Sequence, residues 1–228
     1  MRFLTSFLSF MAASAAIALA PSTSFAKKPE VTLLYEGHVA PVEGKTLLPW
    51  SVSDGERTLS TSVVLVKTDD MTMIVDPGIV RKGEWPKIMA KLADMGIQPE
   101  DVDYTFIDHH HPDHTAHLGA FPNAAIVDFW SIYKDEVWTD HPDNFEISPG
   151  VTIVRTPGHT KEDSSLLVDT DDGVVLITHM WWHTDLTPDK DPVAQDQPAL
   201  DRNRTELLKK ADWILPTHGK LTKNPYKN

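Results

Sequence analysis

From residue 31 onward, short β-branched and apolar runs are separated by polar turns. Runs at 31–35, 61–67 and 71–75 predict three consecutive strands, with Thr68-Asp69-Asp70 turning the second into the third. The spacing then changes. Trp85, Ile88, Met89, Leu92 and Met95 recur at helical intervals, Pro86 suits a first turn, and Gly96 stands at the expected stop. A buried-looking strand at 104–107 runs directly into Asp108-His109-His110-His111-Pro112-Asp113-His114. Further strands are expected at 125–128 and 151–155, and a hairpin from 165–168 and 174–178 around Asp171-Asp172-Gly173. A last helix over 200–211 presents Leu200, Arg204, Leu207, Leu208 and Ala211 on one face, and a strand at 213–215 leads into Pro216-Thr217-His218-Gly219. This order predicts an α/β (α+β) sandwich in one domain.

Residues 1–26 do not fit that scheme. Arg2, an apolar run from Phe3 to Leu19, and a polar stretch ending Ser24-Phe25-Ala26 resemble a secretory signal peptide cut after Ala26. The competing reading is a membrane anchor, but the run is short and interrupted by serines and a threonine. The expected mature domain is therefore 27–228, exported to a periplasm or secreted, with no stable membrane anchor after processing.

Charge and composition narrow the chemistry. The chain carries a formal charge of -12 and lacks a basic-aromatic groove motif, which disfavours nonspecific nucleic-acid binding and favours a small-molecule substrate. It has no cysteine, so disulfides, thiolate metal sites and a thiol nucleophile are all excluded. Any metal must use His, Asp or Glu. Four of the eleven histidines lie within residues 109–114, in the order H-x-H-x-D-H. Residues two apart on an extended chain point to one side, so His109 and His111 can serve one ion, while a turn at Pro112 lets Asp113 and His114 face a neighbouring one. A solvated His-rich loop is the alternative. Thr156-Pro157-Gly158-His159-Thr160 and Pro216-Thr217-His218-Gly219 each add a single histidine in a tight turn after a strand, so three strand ends converge on one edge.

The sequence H-x-H-x-D-H, T-P-G-H-T, hairpin and P-T-H-G resembles the metallo-β-lactamase fold superfamily, over essentially the whole of 27–228. The stretches 155–159, 191–195 and 211–219 look most like the metallo-β-lactamase domain-containing protein 1 type. The resemblance implies a four-layer αββα sandwich with a dinuclear site: His109, His111 and His159 on the first metal, Asp113, His114 and His218 on the second. It implies Zn2+, one or two ions, with iron or manganese as alternatives, and a zinc-dependent hydrolase. Zinc β-lactamases of the commonest type place a cysteine on the second metal, which argues against antibiotic hydrolysis here.

One position departs from the pattern. Where the superfamily carries a bridging Asp, this strand ends Thr178-His179. A neutral imidazole cannot join two cations as an oxygen pair can, so the second ion is expected to bind more weakly. His179 is a seventh ligand, a residue that orients ligands or moves protons, or a satisfied histidine at a strand end. Asp185 is a possible substitute carboxylate. Trp181, Trp182 and His183 are candidates to wall the substrate cleft, although one tryptophan could instead pack in the core. The aspartate- and proline-rich loop at 184–198 is expected beside the metal edge, where it could select against anionic substrates. His110 should point away from the motif, His117 should pack or support a ligand, and His38 and His141 should lie on the surface.

Activation of a metal-held water, with Asp113 as its catalytic partner, makes hydrolysis of a carbonyl ester, lactone, thioester or amide the leading expectation. A phosphodiesterase or nuclease of the same fold is the runner-up. A non-hydrolytic metal-binding or iron redox module is the third reading.

Overall fold

A computed structural model describes residues 27–42 and 57–227; the expected signal segment lies outside the described residues. The strands are β1 Glu30–Tyr35, β2 His38–Pro41, β3 Arg57–Ser60, β4 Val63–Lys67 and β5 Thr72–Val75, followed by helix α1, Trp85–Asp94. Next come β6 Tyr104–Phe106, the short helix α2 Pro112–Thr115, β7 Ala125–Val127, β8 Ser131–Lys134, β9 Val137–Asp140 and β10 Phe145–Ser148. The chain continues with β11 Val151–Arg155, β12 Ser164–Thr170, β13 Gly173–Thr178, helix α3 Gln197–Leu208, β14 Trp213–Pro216 and β15 Thr222–Lys223.

Two sheets carry the fold. One has the order β1-β4-β5-β6-β7-β8-β9, the other β10-β11-β12-β13-β14-β15, and β2 and β3 form a separate ribbon. The period-2 rule accounts for the layering. In β4, Val64 and Val66 point between the sheets while Val63 and Leu65 face α1. In β13, Val175 and Ile177 face inward while Leu176 meets α3. Phe106, Ile153, Leu166 and Leu215 fill the central layer, Ile88 and Leu92 of α1 cover one outer face, and Leu200 and Leu207 of α3 cover the other. The result is the expected αββα sandwich. Each such fully buried apolar side chain stabilises by about 1.5–3 kcal/mol relative to exposure.

Several expectations shift. The helix expected at 200–211 starts earlier, because Asp196 accepts a hydrogen bond from the Ala199 amide and caps it. Gly96, with φ +75°, ends α1 as expected. The hairpin of β8 and β9 went unpredicted, since its turn uses Asp135 and Glu136 at positive φ rather than an Asn-Gly or Asp-Gly signal, and every residue of β9 is exposed.

Candidate metal centre

Strand direction gathers the site. β6 runs parallel to β5 and β14 parallel to β13, so their carboxyl ends open on the same edge, where ligands of α/β sheets collect. Thr178 pairs with Pro216, which sets His179 beside His218 one and two residues later. The turn after β11 brings His159 to that edge, because β12 returns antiparallel from it. Pro112 opens α2, with His111 at its cap and Asp113 and His114 in its first turn. Cross-links between segments stitch the edge: the Ser164 amide donates to the Asp108 carbonyl, and the Ser62 amide to the Thr217 carbonyl.

His109 Nε2, His111 Nδ1 and His159 Nε2 converge, at 2.7 Å and 3.2 Å from the middle atom. Asp113 Oδ2 lies 3.1 Å from His114 Nε2 and 3.7 Å from His218 Nε2. His179 sits between the two groups, its Nε2 3.1 Å from His218 Nε2 and its ring 4.1 Å from that of His159 and 5.1 Å from that of His114. The six histidines and Asp113 therefore form one cluster, buried except for His111 at its mouth.

The opposite edges of these rings are held by oxygen acceptors. His109 Nδ1–H donates to Asp108 at 2.8 Å, His159 Nδ1–H to Asp191 at 2.7 Å and His218 Nδ1–H to the Ser60 carbonyl at 3.0 Å. Each anchor leaves an Nε2 lone pair aimed into the cluster. One N–H can satisfy only one facing pair of nitrogens, and His114 Nε2 and His179 Nδ1 are buried without a hydrogen-bond partner. Lone pairs crowded in this way repel unless a cation lies among them, so the donor set fits one or two ions that accept imidazole and carboxylate, and not a thiolate site.

The electrostatics of three of the rings agree. Burial lowers the pKa values of His109 and His179 well below the usual imidazole value and that of His218 to about 4, keeping all three rings neutral at pH 7. Burial also opposes charge on His114, but Asp108, Asp113 and Asp76 outweigh it and hold its pKa high, so this ring must give up a proton to take a cation. Asp108 lies 2.9 Å from His114 Nδ1, and Asp76 lies 3.3 Å from it.

Other predicted residues fall elsewhere. Trp181 packs in the core against α3, beneath the Arg204 guanidinium, and so does not wall the cleft. Trp182 does line the cavity over the cluster and donates its Nε1–H to Asp191. His183 is half-buried and absent from the described cavity lining, because its backbone is folded into a turn with Leu186 and Thr187. Asp185 is exposed and accepts from Thr187, so it does not supply the missing carboxylate. His110 turns outward to Asp128, and His117 stacks on Trp85 at 3.9 Å. His38 and His141 are not surface residues: His38 is half-buried against Ser60, and His141 is buried, donating to the Asp128 carbonyl.

Asp76, Asp108 and Asp191 support the cluster without having been singled out. Asp108 precedes the H-x-H signal directly, but Asp76 reads as the first residue of an ordinary Asp-Pro-Gly turn, and Asp191 is 32 residues from the histidine it holds. The loop at 184–198 lies where expected. Arg204 ties it to α3 by donating to the carbonyls of Met180, Pro188 and Asp189.

The cluster floors a cavity of about 360 Å³ whose other walls include Val39, Leu59, Ile79, Trp182 and Val193. The family model of the metallo-beta-lactamase superfamily matches residues 57–184. The metallo-beta-lactamase domain-containing protein 1 of Xenopus laevis is 30% identical over 69% of this chain and 70% of that protein, and an N-acyl homoserine lactonase of Bacillus cereus is 31% identical over 42% of this chain and 44% of its own. The chain spans 58% of the human protein of the first name, at 29% identity. A solved N-acyl homoserine lactone hydrolase with N-hexanoyl-L-homoserine at its metal centre superposes with TM-score 0.56 at 20% identity, covering 80% of this chain and 87% of that one. A Thermotoga maritima structure assigned to the metallo-beta-lactamases gives TM-score 0.63 at 19% identity, over 86% and 99%. At these identities the structures speak for the fold alone.

Proposed function

From the premise that this chain belongs to the metallo-beta-lactamase superfamily, most like its domain-containing protein 1 type, and is a metal-dependent hydrolase in the general sense, we propose that it opens carbonyl esters and lactones, with thioesters and amides in the same class. The carrying observation is the cavity, whose apolar walls stand directly over a cluster of metal-ligand character. Such walls suit an acyl or alkyl body and leave the reacting carbonyl at the polar floor. The lactonase relative supports the same class.

Zinc is the proposed ion. A divalent cation held there supplies Lewis acidity and an acidified water. The chain supplies the rest. Asp108, Asp191 and the Ser60 carbonyl fix the tautomers of His109, His159 and His218, and the burial of these rings keeps bulk water from competing for their lone pairs. Asp113 is placed to hold and orient the attacking water's proton at Oδ2, which His114 beside it keeps ionised against burial.

The test is a hydrolysis panel on zinc-loaded protein containing p-nitrophenyl esters, N-acyl homoserine lactones and bis(p-nitrophenyl) phosphate. Esters or lactones should exceed the phosphodiester. The reverse order would assign a phosphodiesterase, and bound iron without turnover on any of them would assign a redox or metal-binding role. Residues 1–26 support export as part of the same proposal, and a mature N-terminus at Lys27 in the exported fraction would bear this out.

A further inference from the structure

The cavity carries a charge that the metal cluster does not explain. Among its described lining residues, Arg57 is the one guanidinium or ammonium, standing half-buried beside Val39, Leu59 and Ile79. Its placement follows from the ribbon. Val39 pairs with Leu59 and Pro41 with Arg57, so Arg57 and Leu59, two residues apart, share the face turned to the cavity, while Thr58 is exposed. Three residues after Arg57, the Ser60 carbonyl accepts from His218, and the next residue, Thr61, donates to the Asp113 carbonyl. The ribbon is thus tethered to the metal cluster, with Arg57 roughly 10 Å along the strand from that tether.

A guanidinium among apolar walls loses hydration, and a carboxylate offered by a ligand repays that loss through paired, charge-assisted hydrogen bonds. No aspartate of the loop at 184–198 is among the described lining residues of the cavity. Asp191 is spent on His159 and Trp182, Asp185 faces solvent, and the loop residue that reaches the cavity is Val193.

We propose that Arg57 binds a carboxylate of the substrate at the end of the apolar cavity away from the metals, so that the preferred esters or lactones carry a free acid group on an apolar body. This rests on the cavity being the substrate site, and it names the substrate class of that site more narrowly.

The test uses matched acids on the zinc-loaded protein, followed by calorimetry: pentanoate with glutarate, hexanoate with adipate, heptanoate with pimelate and octanoate with suberate. One carboxylate of each can take the metal end, so the diacid reports on the other end. At one or two lengths the diacid should bind roughly tenfold more tightly than its monoacid, beyond the twofold statistical advantage. Arg57→Gln should bring that ratio to about twofold while leaving monoacid affinity and Tm unchanged, and Arg57→Lys should fall between. A ratio of twofold or less at every length, absence of diacid binding, or a preference that survives in Arg57→Gln would overturn the proposal. Ester and lactone turnover is read separately. Diacid selectivity without turnover removes the hydrolytic reading and leaves this site standing, whereas turnover without selectivity does the reverse.

Discussion

His179 follows β13 where a carboxylate would bridge two ions, and its ring lies against those of both groups of candidate ligands. An imidazole brings one lone pair and no charge, so the second ion should be the weaker one. Elemental analysis after zinc loading and buffer exchange is expected to give near one ion per chain in His179→Ala and two in His179→Asp; equal stoichiometry in both would count against any ligand role. Asp191 acts one bond further out. Its carboxylate accepts from His159 and from Trp182, so Asp191→Ala frees the ring to turn and leaves an indole N–H unpaired. Zinc affinity measured against a chelator should fall about 10–100-fold. These two residues differ in legibility. The odd histidine at 179 can be read from a strand followed by a motif, but a carboxylate 32 residues from its imidazole carries no local mark.

At the scale of elements, the turn after β5 positions helix α2. Gly78 packs so tightly under α2 that an added Cβ would lie 1.6 Å from the Asp113 carbonyl oxygen, and the Ile79 amide donates to that same oxygen. Gly78→Ala must therefore push Asp113 and His114 out of register. The expected cost is about 1–3 kcal/mol, or roughly 3–10 °C in Tm, together with a loss of bound zinc. Full zinc content with an unchanged Tm would show that α2 can move freely. The strands buried on both faces, such as β4 and β13, were predictable because such burial writes a short continuous apolar run. Ribbon β2–β3 and hairpin β8–β9 were not, since their short strands take little from the core, and the β8–β9 turn lies at positive φ on residues that do not advertise it.

The candidate ligands come from β6 and α2 on one sheet and from the ends of β11, β13 and β14 on the other, so a bound metal would tie the two sheets together. Zinc at a thousand times its dissociation constant should add about 4 kcal/mol, or roughly 8–16 °C in Tm, reversible by chelator. In the stripped protein, the buried imidazoles of His109, His179 and His218, and that of His111 at the cluster's mouth, have lowered pKa values, that of His218 at about 4. The unfolded chain protonates these groups near 6.5, so their contribution is full above that pH and is lost as pH falls toward about 4. Asp76, raised by burial to about 8, and Asp163, raised by burial to about 7, run the other way over the same range. Four imidazoles outweigh two carboxyls, so the Tm of chelator-treated protein should drop between pH 6.5 and 4. A flat or rising profile would contradict the neutral-imidazole core.

The chain by itself determined the sandwich and most of the candidate cluster, because both are written in short-range terms: short apolar runs, a helical stripe, and H-x-H-x-D-H, T-P-G-H-T and P-T-H-G at strand ends. Only the tertiary structure decided which carboxylates hold the imidazoles, that Trp182 and not Trp181 faces the cavity, and that Arg57 stands in its wall. Those facts depend on which strand lies beside which and on how two sheets meet. Contacts between residues 32 or 158 positions apart, as in Asp191 with His159 and Ser60 with His218, exist only once the sheets have packed.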